Sequence, residues 1–328
     1  MRLEVIDSLG RLEEFRHEWR SFVETVDRLT PFQLPAWLLT WWRHFGSGRL
    51  QVLVLSEKGS TVGVVPLFRH KWQGRAQLTL VGSGISDYLD PAIAPGREEE
   101  VILKLRGHLL NDCDWDICDW QDLAADSPLA ALARVQGDTP CSEIRLNGGF
   151  EEYWARRSKD LRRNLRRYRS RAEQDGPLEF AVTCGTGLMN ELIRLHGDRW
   201  ERQGQPGMVA ANSSAEFLRD VAREFERLQS LRFFSLRFKG EIVALSVGFL
   251  YRNTIYSYLS AFDPQYEILG FGRTLLYESL RHAYGQHYIA WNFCRGDEPY
   301  KFSFGAQAIA KSRLILTRGR GDITGDIS

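Results

Sequence analysis

Gly270-Phe271-Gly272-Arg273-Thr274 stands where a strand and its loop give way to a helical pattern. The first N–H groups of a helix have no partner within it, and the helix dipole favours an anion there. Glycine lets a phosphate come close to the backbone, and Arg273 adds positive charge. Gly270, Gly272, Arg273 and Thr274 therefore form a candidate pyrophosphate cradle, with an ordinary turn at a helix start as the alternative. A second concentration is Trp291–Lys301, which leaves an apolar strand and presents Arg295, Asp297, Glu298, Tyr300 and Lys301 in quick succession. Open α/β sheets place ligands at the carboxyl ends of their strands. Tyr300 and Lys301 suit protonation of a leaving group or the holding of an anion. A polar turn closed by its own ion pairs is the alternative.

A third feature is electrostatic. Arg156, Arg157, Lys159, Arg162, Arg163, Arg166, Arg167, Arg169 and Arg171 crowd one helical segment, whose apolar stripe is only Leu161, Leu165 and Tyr168. Like charges at this spacing destabilise an isolated helix by tenths of a kcal/mol per pair. A counter-charge must come from the chain's own acids or from a polyanion such as tRNA, acidic lipid or acidic polysaccharide. The seven histidines are scattered. His196, in Leu195-His196-Gly197-Asp198-Arg199-Trp200, is the one best placed for a cleft, with a satisfied structural histidine as the alternative. No Walker A motif, Gly-x-Ser-x-Gly elbow or His-Glu-x-x-His occurs, and no Cys/His cluster has metal-ligand spacing.

The elements that must position these groups follow from periodicity. Residues 8–28 form an amphipathic helix pattern, and a second helix carries Trp37, Leu38, Trp41 and Trp42. Strands at 51–56 and 61–68 flank a turn holding Lys58-Gly59; another lies near 77–81. A loop with Asp90-Pro91, a helix over 98–110 and a strand over 115–120 close this half. The second half repeats the order: strands at 231–238 and 242–250 flank Lys239-Gly240. A strand at 254–262 runs into Asp263-Pro264, a helix follows Gly272, and a strand spans 288–294. We read this as one unit present twice, each an α/β fold built on a mixed sheet. The first unit's helix begins Glu98-Glu99-Glu100, whose carboxylates satisfy the dipole and repel phosphate, so the second unit is the one expected to bind a phosphorylated carrier.

Composition sets the class. The 328 residues are 43% hydrophobic and 26% charged, which fits a globular protein of two domains and excludes disordered and collagenous chains. Net charge is +1, so any polyanion site is local. The five cysteines (113, 118, 141, 184 and 294) suit reduced, mostly buried thiols. Residues 1–15 are acidic without an apolar leader, and no stretch approaches the ~18 apolar residues that would span a bilayer. The expected location is cytoplasmic.

Four stretches taken together resemble the CelD-like acyltransferases of the GNAT superfamily, which are close to the Fem-type aminoacyl transferases. They are Ser158-Lys159-Asp160-Leu161-Arg162-Arg163-Asn164-Leu165-Arg166-Arg167, Leu195–Trp200, Phe262-Asp263-Pro264 with Gly270, and Arg295-Gly296-Asp297-Glu298-Pro299-Tyr300-Lys301-Phe302. The resemblance runs over roughly residues 5–315 and implies tandem GNAT-like domains, each a mixed, mostly antiparallel sheet flanked by helices. Their expected limits are 1–145 (a degenerate first domain) and 146–318, with a basic helical insert at 151–174 and a flexible tail at 319–328. It also implies an acyl donor on the second domain and a link to exopolysaccharide biosynthesis. The GNAT donor motif Arg/Gln-x-x-Gly-x-Gly/Ala reads Glu267-Ile268-Leu269-Gly270-Phe271-Gly272 here, and a carboxylate beside a pyrophosphate weakens coenzyme A and leaves room for aminoacyl-tRNA.

The expected reaction is direct transfer from acyl-CoA (acetyl or longer) to an amine, such as an amino sugar or polysaccharide precursor, with no permanently bound cofactor. The donor carbonyl would lie along 244–250 with the chain splaying at Gly248. Asp263 or Asp297 would act as base, Tyr300 or Tyr258 would protonate the leaving group, and Lys301 and Arg295 would orient donor or acceptor. His196 and Trp200 would face the substrate. The alternatives are a Fem-like transferase gripping tRNA through 156–171, and a non-catalytic scaffold binding a polyanion there.

Overall fold

The computed structural model describes residues 1–112, 114–202, 204, 207, 211–318 and 323–325. Cys113 lies outside them; Cys118, Cys141 and Cys294 are buried free thiols and Cys184 is exposed. The chain forms two compact units, Met1–Pro140 with Ala310–Ser328, and Cys141–Ile309. Residues 310–318 thus belong to the first unit.

The first unit contains β1 (Arg2–Ile6), α1 (Leu9–Val23), α2 (Pro35–Phe45), β2 (Arg49–Glu57), β3 (Ser60–Trp72), β4 (Arg75–Leu80), β5 (Ala92–Ile93), α3 (Glu98–Asn111) and β6 (Ile117–Ala124). Then come β7 (Val135–Arg145), α4 (Phe150–Ala155), α5 (Lys159–Asp175), β8 (Leu178–Thr183), α6 (Met189–Arg202), α7 (Asn212–Arg227), β9 (Leu231–Phe238), β10 (Glu241–Tyr251) and β11 (Thr254–Phe262). The chain ends with α8 (Phe271–Gly285), β12 (Ala290–Arg295), α9 (Pro299–Ser303), β13 (Gln307–Arg318) and β14 (Ile323–Gly325). Among the described residues no helix is long and apolar enough to cross a membrane.

The first unit's sheet runs β1-β2-β3-β4-β6-β13 and the second's β8-β9-β10-β11-β12-β7. In each, a single parallel pair, β4 with β6 and β11 with β12, is bridged by a helix, and the other neighbours are antiparallel. Both units are therefore mixed, mostly antiparallel sheets flanked by helices. The two orders superpose element for element. The turn residues agree as well: Lys58 and Gly59 have φ of 50° and 83°, and Lys239 and Gly240 have 52° and 87°. Two successive positive φ angles make the type I′ turn whose twist suits a hairpin.

One step differs from simple repetition. The strand after β6 in the chain, β7, completes the sheet of the second unit, and the strand after β12, β13, completes that of the first. In the tail, Ile323–Gly325 pairs with Leu316–Arg318 of β13. The remaining tail residues lie outside the described ones.

The core of the second unit sits between its sheet and α8. Phe234, Leu236, Ala244, Ile255 and Trp291 meet Leu275, Leu280 and Ala283, with Leu161, Leu165 and Ala172 of α5 added. Each large side chain buried this way contributes roughly 1.5–3 kcal/mol. The expected basic helix at 151–174 is two helices, because Ser158 leaves helical geometry and its side chain accepts from the Leu161 N–H, capping α5.

Candidate active site

The site starts from a fault in the second sheet. β11 and β12 pair through Thr254–Ala290, Ile255–Trp291 and Tyr256–Asn292, and then part. Cys294 adopts φ 59°, a conformation costly for a residue with a Cβ. Asn292 supports it: its Oδ1 accepts from the Cys294 N–H at 2.8 Å, and its Nδ2 donates to Glu143 at 3.2 Å. The carbonyls released by this turn are met by Lys301. Its buried ammonium donates to Arg295 O at 2.7 Å, Gly296 O at 3.2 Å and Phe293 O at 3.4 Å, and pairs with Glu298 at 2.8 Å. Lys301 thus fixes the turn at the end of β12, beyond the three residue pairs that join β12 to β11.

A cavity of about 440 Å³ occupies the region between α8 and the parted strands. Gly270, Phe271, Gly272 and Arg273 line it, with Tyr300 of α9, Arg199 of α6 and Tyr168 of α5. Ser257, Ser260 and Phe262 of β11, Ser246 of β10, Trp291 and Phe293 of β12 and Ser279 of α8 line the rest. Gly270 has φ 60°, and a Cβ there would lie 2.6 Å from the Tyr168 ring. A Cβ on Gly272 would lie 3.1 Å from Phe262. A side chain at Gly270 is opposed both by its positive φ and by Tyr168, and one at Gly272 would press on Phe262.

The α8 start has no acidic residue in its first turn and no side-chain cap. The Arg273 and Thr274 N–H groups bond to Gly270 O at 3.1 Å, and those of Phe271 and Gly272 precede the helical ladder. In the first unit, α3 carries Glu98, Glu99 and Glu100 in its first turn, with Arg97 bonded to Glu100 and Glu57. The contrast between the two helix starts is the one their sequences imply.

Residues 159–302 match the family model described as acetyltransferase (GNAT) domain. The match covers the cavity lining, from Tyr168 to Tyr300. No curated protein matches the chain. Among solved structures, it is similar in fold to FemX (9% identity, 95% of this chain and 97% of that chain covered, TM-score 0.67). It is also similar to the C-terminal domain of a putative lysylphosphatidylglycerol synthetase from Agrobacterium fabrum (15% identity, 95% and 93% covered, TM-score 0.58). A third is L-PGS from Bacillus licheniformis (14% identity, 90% of each chain covered, TM-score 0.58).

Within this matched segment, the expected residues separate. Gly270, Gly272, Arg273 and Tyr300 share the cavity. Thr274 does not: it is buried, and its hydroxyl donates back to Gly270 O at 3.3 Å. Gly248 is not where the chain splays. It faces the irregular register with β11, where a Cβ would meet Tyr256 O at 2.8 Å. Asp263 caps the turn after β11, accepting from the Gln265 N–H at 2.8 Å, and does not line the cavity. Asp297 is exposed on the β12–α9 turn, and Arg295 ends β12 opposite Cys141; neither lines the cavity. Lys301 binds backbone, as described above. His196 is buried outside the cavity and accepts from Trp200 Nε1 at 2.9 Å. Burial, then the Arg199 charge, lowers it to about 4, so it is neutral at pH 7.

The side chain that reaches the cavity from this motif is Arg199, between the two residues chosen from the sequence. It lies over the Phe262 ring, 4.8 Å from the centroid. Tyr168, Ser246, Ser257 and Ser279 were likewise not singled out as cavity lining, whereas Glu267 lies there, as its place in the donor motif implies. Tyr300 is 37% exposed. Burial around the phenol, then the Glu298 charge, pushes it up to about 12, with Arg199 opposing.

Proposed function

We propose that the protein is an N-acyltransferase that moves an acyl group from a coenzyme A thioester to an amine. GNAT domains use acyl-CoA as co-substrate, and the observation that carries the reading is the α8 start. It is glycine-lined, free of acid and uncapped, and it opens on the same cavity as the parted strands. The Phe271 and Gly272 amides with Arg273 hold the pyrophosphate, and Arg199 offsets the carboxylate of Glu267 at the same cavity. Backbone N–H groups of β11 beyond Tyr256 polarise the thioester carbonyl. The amine nitrogen attacks that carbon. A C–N bond forms, the C–S bond breaks with its electron pair leaving on sulfur, and the ammonium proton passes to water at the cavity mouth. Tyr300, protonated at neutral pH, donates a hydrogen bond to the departing sulfur.

Tyr300→Phe tests this. The expected result is a kcat lower by roughly 100-fold with KM for acyl-CoA little changed. Unchanged kcat removes Tyr300 from the reaction. An amino sugar or polysaccharide precursor is the acceptor class proposed.

A second reading, transfer from aminoacyl-tRNA, is favoured by α5. Its Tyr168 covers Gly270, while Lys159, Arg166, Arg167 and Arg171 are exposed along it. Retention of charged tRNA that falls steeply with salt, without acyl-CoA binding, would select it.

A further inference from the structure

The first unit has a cavity of its own, of about 530 Å³, a volume suited to a small ligand. Trp72 of β3, Gln73 of the turn, Arg75 and Gln77 of β4, and Ile117 and Asp119 of β6 line it. The second unit's cavity reaches β11 at Ser257, Ser260 and Phe262, in the far half of that strand. This one takes Arg75 and Gln77, in the first half of β4, so it is not a decayed copy of the donor site.

Backbone geometry fixes one wall. Gln73 and Gly74 have φ of 49° and 80°, the two-residue turn that closes β3 on β4. Trp72 and Arg75 flank this turn as register partners, and His70 and Gln77 are the next pair on the same face. The His70 ring lies 6.4 Å from that of Trp72. Trp72 is nonetheless 60% exposed, so the hairpin presents a flat apolar surface to the cavity.

Polar groups stand beside it. Arg313 of β13 donates to Asp119 twice, from Nε to Oδ1 at 2.7 Å and from Nη2 to Oδ2 at 2.6 Å. The pair cancels in charge and holds the carboxylate in place, and each oxygen can still accept from a further donor. The Gln77 amide, without a partner among the described residues, can both donate and accept. Arg75 is exposed and pairs with no acid among the described residues.

This combination restricts the occupant. It must offer a flat apolar face to the indole and, around its edge, groups that both donate and accept. A single-stranded nucleic acid lies along a groove of several cations, whereas the lining here holds one cation and one carboxylate. A quaternary ammonium takes a cage of several aromatic rings, whereas one indole lines this cavity and Arg75 repels a cation. A pyranose with equatorial hydroxyls meets both demands. Its axial C–H bonds form an apolar face, and its hydroxyls donate and accept around the rim. Joined by β-1,4 bonds, such rings keep a flat ribbon. We infer that the first unit binds a β-linked oligosaccharide, stacked on Trp72 and hydrogen-bonded to Asp119, Gln77 and Arg75. This does not rest on the donor-site reading, and it goes beyond it.

Calorimetry of the full chain with cellotetraose and with tetra-N-acetylchitotetraose tests this. At least one of the two is expected to bind. Trp72→Ala should weaken that binding about tenfold and Gln77→Ala about fivefold, with the thermal midpoint and acyl-CoA affinity unchanged. Gln77→Ala serves if the indole replacement disturbs folding. Binding of neither sugar overturns the inference and leaves the donor site standing. Sugar binding that the folded variants keep in full also overturns it. Retention of oligo-dT in place of the sugars, lost in Trp72→Ala, would make the platform a nucleobase site and overturn it as well.

Discussion

Lys301 carries its charge into the interior of the domain, where three backbone carbonyls and the Glu298 carboxylate receive it. Its type suggested a ligand contact, but its service is to the backbone. Lys301→Met would strand those carbonyls, and the expected loss is about 2–4 kcal/mol in urea unfolding together with a fall in activity. Full stability in that variant would contradict the assignment. His196 shows the opposite economy, a polar ring kept neutral. Its lowered pKa means the unfolded chain binds more protons between about 4 and the ordinary 6.5, so its contribution is intact above 6.5 and is lost as pH falls through that window. His70, His108 and His282 are also lowered by burial and act in the same direction. His196→Gln keeps an acceptor for Trp200 and removes the titration. The loss of stability from pH 7 to 4.5, read by denaturant melts, should then be smaller by on the order of 2–3 kcal/mol. An identical loss would show that His196 does not titrate there.

At the scale of elements, the two crossover helices share a place in their sheets and differ in their first turns. Arg273→Glu would give α8 an acidic start like that of α3. Because Arg273 is exposed, the thermal midpoint should hold while KM for acyl-CoA rises about tenfold. An unchanged KM would move the phosphates elsewhere. This contrast was legible in the sequence because helix starts are local, and so were the hairpins, since Lys58-Gly59 and Lys239-Gly240 are themselves turn chemistry. Asp263 was readable too: an acid before proline is an N-cap pattern, which explains why it is a cap and not a base. The turn at the end of β12 was not legible. It depends on Asn292 bonding to Cys294 and on Lys301 reaching back from α9, contacts with no periodic signature. Ser246, Ser257 and Ser279 gave no signal for a related reason. A serine in a strand or helix shows its importance only once its neighbours are known.

Over the whole molecule, the repeat read from the order of strands and turns is present, but the units are not sequential blocks. β1 and β8, edge strands with alternate exposure, are too short to stand out, and no local rule assigns β7 to β12 or β13 to β6. A chain ended at residue 309 would lack Lys311–Thr317, the partners of β6, and leave the side of Trp120 and Leu123 open. It should unfold at clearly lower urea than the full chain, with the first unit losing protection from hydrogen exchange. Equal protection of β6 in both chains would deny β13 that part.

The exchange of final strands also orders events during synthesis. β6 leaves the ribosome long before β13 exists, and at roughly 5–20 residues per second the wait is on the order of 10–40 s. For that interval the nascent first unit exposes a bare hydrogen-bonding rim, a period when a chaperone or a neighbouring chain can pair with it instead.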